Sequence, residues 1–108
     1  MVPHSDTTLP AQLKMIQTVA IVEDDAEVRQ SLIEVLGRAR GIRCVGHYGT
    51  AEDALRVVPA LKPQFLLMDI NLPGMSGVEC VRKLGPLVPN TQILMLTVHD
   101  DTETIFDA

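Results

Sequence analysis

The chain has no tryptophan, one tyrosine and two phenylalanines among its 108 residues. A core built from it must be aliphatic. Three scattered rings (Tyr48, Phe65 and Phe106) are also too few for the stacking platform that single-strand nucleic-acid binders use. Positive charge is scarce as well: nine Lys and Arg stand against fourteen Asp and Glu, for a net charge of −5. That balance argues against the chain itself gripping nucleic acid or an anionic membrane. The two cysteines, Cys44 and Cys80, make neither a disulfide framework nor a zinc site. They are expected to be free thiols in a reducing cytoplasm. No apolar run approaches the length of a membrane span, and the N-terminus lacks the basic start and apolar centre of a signal peptide.

What is present is an ordinary globular balance, 46% hydrophobic and 21% charged, in a length that suits one domain with a real core. Residues 1–17, with Pro3 and Pro10 around a polar run, are expected to be an N-terminal extension, and residues 18–108 the folded unit. Residues 18–22 are rich in β-branched side chains and read as a strand. Helical spacing follows at Val28, Leu32, Val35, Leu36 and Ala39, with Asp25 placed as the cap and Gly41 as the stop. Residues 42–47 read as a more polar edge strand, in which His47 is expected at the surface. Thr50 with Asp53, and Ser76 with Glu79, have capping-box spacing ahead of two further helices. The apolar faces of those helices are expected at Ala54, Leu55, Val58 and Leu61, and at Val78, Val81 and Leu84. The apolar run at 65–68 reads as a strand buried on both faces, another near-continuous apolar run at 92–96 reads as the fourth strand, and a last helix is expected from about Thr102.

This βαβαβαβα alternation with short connections predicts an α/β fold, a doubly wound parallel sheet. In the flavodoxin-like strand order 2-1-3-4, strands one and three are neighbours at the switch point. Glu23, Asp24 and Asp69, which end those two strands, would then meet at one rim, with Thr97 beside them at the end of strand four. Two carboxylates about 4 Å apart at an effective dielectric near 20 repel by about 4 kcal/mol. Such a cluster must be partly protonated or hold a cation, and oxygen donors alone suit Mg²⁺ or Mn²⁺. Asp69, a lone acid directly after four apolar residues, would be the nucleophile toward a phosphoryl group. Thr97 would donate a hydroxyl to that group, and Gly74 and Gly77 are expected to keep the adjoining loop open.

The segments Val22-Glu23-Asp24-Asp25, Met68-Asp69-Ile70-Asn71-Leu72-Pro73-Gly74-Met75-Ser76-Gly77 and Leu94-Met95-Leu96-Thr97 resemble those of a response-regulator receiver domain of two-component signalling (the CheY-like family), from about Thr18 to the end. The resemblance implies that Asp69 is the phospho-acceptor, with a sensor histidine kinase as the phosphoryl source. Asp24 would ligate Mg²⁺ directly, Glu23 would be the second acid of the pocket, Asn71 would lend its backbone carbonyl to the metal, and Thr97 would be the switch hydroxyl. The Cys44-Val45-Gly46 and Thr97-Val98-His99-Asp100-Asp101 segments are similar to those of NarL/LuxR-type relatives, which carry a helix-turn-helix output domain. DNA binding would belong to that domain and not to this chain.

The family pattern continues into a fifth strand, bearing a Lys and a switch aromatic, and a fifth helix, neither of which is in this sequence. The expectation is an incomplete receiver, impaired in phosphorylation for want of that cation. Its fourth strand would be a bare edge, open to homodimerisation by edge pairing or domain swapping. Two other readings stand beside this one: an interaction module that dimerises without phosphorylation, and an aspartate-nucleophile phosphatase of the haloacid-dehalogenase type. The latter needs a second Asp two residues after the nucleophile, where this chain has Asn71.

Overall fold

A computed structural model describes residues 16–96. Its elements alternate as β1 (Gln17–Val22), α1 (Ala26–Arg38), β2 (Ile42–Tyr48), α2 (Ala51–Leu61), β3 (Phe65–Asp69), α3 (Gly77–Leu84), a short 3₁₀ turn (Gly85–Leu87) and β4 (Gln92–Leu96). The strands are all parallel, in the order β2-β1-β3-β4. This is the doubly wound, flavodoxin-like arrangement expected from the alternation. The helix expected from Thr102, residues 1–15 of the N-terminal extension, and Thr97 itself lie outside the described residues; Gln17, expected to end that extension, is instead the first residue of β1, pairing with Ile42.

The two faces of the sheet are covered unequally. Side chains alternate along a strand, and Ala20, Val22, Leu66 and Met68 point to one face. There they form a buried core with Ala51, Ala54 and Val58 of α2, Cys80 and Leu84 of α3, and Leu72 and Val88. α1 lies toward the other face, and none of its residues is fully buried. Val28, Leu32, Ile33 and Leu36 are half-buried, whereas Val35 is 59% exposed. A groove of about 380 Å³ on this side is lined by Val19, Leu36, Ile42, Phe65, Leu67 and Leu94 together with Gln17.

Local signals place the helices with small shifts. Asp25 caps α1, its Oδ1 accepting from the N–H groups of Glu27 (2.9 Å) and Val28 (3.2 Å). Thr50 and Ser76 cap α2 and α3, accepting from the N–H groups of Asp53 and Glu79 at 3.1 Å each. Each cap uses only the hydroxyl half of the capping box: Asp53 pairs with Arg56, and the Glu79 carboxylate lies 3.9 Å from Lys83. α1 stops at Arg38, with Ala39 already extended. The buried stripe of α3 is Gly77, Cys80 and Leu84, so Val78, expected inward, is left outward. Cys80 is buried and Cys44 half-buried, both free.

Candidate functional site

The register of the central strands builds the site. Val22 pairs with Met68 across β1 and β3, so the next residues, Glu23 and Asp69, arrive together at the carboxyl edge. One carboxylate oxygen each from Glu23, Asp24 and Asp69 lies within 4.8 Å of the others. Glu23 and Asp69 are each 3% exposed, and Asp24 faces solvent. These are the three acids that the strand order was expected to unite. Asp25, next in sequence, is spent on capping α1.

The cluster is electrostatically uneasy. Burial pushes the Glu23 carboxyl from its ordinary 4.5 up to about 7, and the charge of Asp69 pushes the same way. The Asp25 N–H, donating to Glu23 Oε2 at 3.1 Å, pulls it partly back. Among the described residues Glu23 Oε1 is buried with no hydrogen-bond partner, a condition that costs on the order of 1–3 kcal/mol for a polar atom. An orphaned buried acceptor among crowded carboxylates is what a hard divalent cation would satisfy, and the all-oxygen donor set suits Mg²⁺.

The loop after β3 is drawn tightly onto Asp69. The Asn71 N–H donates to Asp69 Oδ1 at 3.0 Å, and the Ile70 N–H reaches the Leu96 carbonyl at 3.1 Å. Gly74 adopts φ +73°, and next to it the Met75 N–H donates to Glu52 Oε2 at 3.3 Å. Gly77 is buried, and a Cβ there would collide with the Asp69 carbonyl oxygen. The expectation that these glycines hold the loop open is thus corrected: they let the backbone turn and close against the acid. Gly77→Ala should shift the Asp69 main chain and destabilise the domain by about 2 kcal/mol or more. Gly85→Ala, with nothing among the described residues within 4 Å of the added Cβ, should stay within about 0.5 kcal/mol of wild type, and denaturant titration reads both variants.

Thr97 lies outside the described residues; its predecessor Leu96 pairs with Asp69. A contact absent from the sequence reading comes from Arg29, whose Nη1 donates to the Glu23 carbonyl at 2.6 Å. The signal available was its place one turn into α1, where a long side chain can reach back to the strand end.

The response regulator receiver domain family matches residues 19–108. Response regulator GacA of Pseudomonas aeruginosa is 34% identical over 83 residues, covering 77% of this chain and 39% of that protein. The DNA-binding transcriptional activator DevR/DosR of Mycobacterium tuberculosis is 33% identical over 90 residues, covering 83% and 42%. The chain thus spans about two fifths of the length of these relatives. Among solved structures, a LuxR-family response regulator from Aurantimonas sp. SI85-9A1 superposes with TM-score 0.72 at 26% identity, covering 83% of this chain and 64% of that one. The receiver domain of NarL from M. tuberculosis gives 0.71 at 22%, covering 83% and 73%, a likeness of fold. The sheet order, the acidic rim and these matches place the chain in the response regulator receiver domain family.

Proposed function

We propose that the chain is a Mg²⁺-dependent phospho-acceptor in which Asp69 takes a phosphoryl group from a sensor histidine kinase. The observation that carries this reading is the meeting of Glu23, Asp24 and Asp69 at one rim, with a Glu23 carboxylate oxygen that is buried and has no hydrogen-bond partner among the described residues. Glu23, Asp24, Asp69 and the Asn71 carbonyl would hold the metal. When bound, Mg²⁺ would offset the negative charge of the transferring phosphoryl oxygens. The Asn71 N–H occupies Asp69 Oδ1, which leaves Oδ2 to attack phosphorus. The new O–P bond makes an acyl phosphate as the P–N bond to the kinase histidine breaks and the imidazole takes up a proton. Thr97 would donate its hydroxyl to a phosphoryl oxygen. No helix among the described residues is long and apolar enough to cross a membrane, in keeping with work in the cytoplasm.

Incubation with Mg²⁺ and acetyl phosphate, or with beryllofluoride, tests the proposal. A phosphoryl mass gain and a spectral change are expected; an unchanged mass and spectrum with both would overturn it.

An interaction reading is favoured by one further observation. Among the described residues β4 pairs only with β3, and it presents Leu94 and Met95, 48% and 37% exposed. Such an edge is a template for another chain. Light scattering should show homodimers that grow with concentration, and a monomer at every concentration would contradict this.

A further inference from the structure

We propose that Arg29 and Gly49 form a clamp on the main chain of Glu23 that sets the Mg²⁺ affinity of the acidic pocket; this rests on the metal-binding reading above. Glu23 is held at three points. Its N–H donates to the Tyr48 carbonyl at 3.0 Å, its Oε2 accepts from the Asp25 N–H at 3.1 Å, and its carbonyl accepts from Arg29 Nη1 at 2.6 Å. The first two contacts come from the neighbouring strand end and the adjacent turn. The third is charge-assisted and ties the pocket to α1.

Gly49 supplies the independent observation. Its φ is not positive, so the backbone places no demand for glycine there, unlike Gly41 and Gly74. A Cβ at Gly49 would instead stand 3.3 Å from Arg29 Nη1 and 3.9 Å from its Cζ. The guanidinium would have to give way by a few tenths of an ångström to admit that carbon. Gly49 follows Tyr48, whose carbonyl holds the Glu23 N–H, and precedes Thr50, the cap of α2. Arg29 therefore bridges the end of β1 and the β2–α2 turn.

The clamp has work to do because three acids repel one another. Without it, Glu23 would relax outward, so that relief of that repulsion offsets the lost hydrogen bond in the metal-free fold while the converging oxygens are lost. Arg29 is in this sense a positioning residue. It acts through the Glu23 backbone.

Calorimetric Mg²⁺ titrations at pH 8 on the whole chain, with thermal melts in EDTA, test the clamp. Arg29→Ala should weaken Mg²⁺ binding about tenfold, the scale of loss for groups that orient metal ligands, with the melt little changed. Gly49→Ala should weaken it about threefold alone and not at all in the Arg29→Ala background, a non-additivity expected of groups in contact. A purely structural role would lower the melt and leave the Mg²⁺ affinity in place. Equal affinity in Arg29→Ala and wild type overturns the clamp alone, whereas no Mg²⁺ binding by the wild type overturns the metal reading and the clamp with it. Should Arg29→Ala not fold, Gly49→Ala decides: unchanged affinity rejects the proposal.

Discussion

Asp69→Asn is expected to reduce phosphoryl incorporation from acetyl phosphate by at least about 100-fold, because the amide removes the nucleophile outright. Intact-mass spectrometry reads the loss. The fold should survive, since the amide oxygen can still accept from the Asn71 N–H that now reaches Asp69 Oδ1. Stability above pH 7 should even rise, because the substitution removes the charge that helps push Glu23 up. Equal incorporation in the variant would move the phosphorylation site elsewhere.

The second large effect concerns Glu23 and pH. Its folded value, about 7, lies above the ordinary 4.5, so the metal-free folded chain holds this proton more tightly than the unfolded chain does. That stabilisation is complete below pH 4.5 and is lost as pH rises through 7, a change on the order of 3 kcal/mol. Glu23→Gln should flatten this stretch of the stability profile, read by denaturant midpoints from pH 4.5 to 8. Mg²⁺ requires the ionised carboxylate, so its affinity in the wild type should climb over the same interval, with proton release on binding. In Glu23→Gln the affinity should be weak at every pH. Matching stability profiles for variant and wild type would show that Glu23 ionises normally.

The sheet and the acidic rim were legible because each rests on a short-range signal. Residues 65–68 are apolar without interruption, and the acid that follows them must sit at a strand end. Parallel pairing then needs only the common topology to bring Glu23 beside Asp69. The helix faces were less legible. Val78 has the spacing of a core residue, yet α3 approaches the sheet through Gly77, because only a residue without Cβ lets the helix start against the Asp69 carbonyl. Helical periodicity identifies a stripe but not how close the backbone comes. α1 carries the right apolar spacing too, and its partial burial depends on what surrounds it in space. Arg29 was invisible because its partner is a main-chain carbonyl, which leaves no trace in the identity of residue 23. The second halves of the capping boxes failed for a simpler reason: at solvent-exposed helix starts, Asp53 and Glu79 have the basic partners Arg56 and Lys83 within one turn.

The most direct test of the phospho-acceptor account is chemical trapping. Borohydride reduces an acyl phosphate to the alcohol, so treatment of the Mg²⁺- and acetyl-phosphate-loaded chain converts the phosphorylated aspartate to homoserine, which peptide mass mapping locates. The account predicts homoserine at position 69 alone, dependent on Mg²⁺. Homoserine at position 24 or 25, or none under conditions that phosphorylate a known receiver domain, would contradict it.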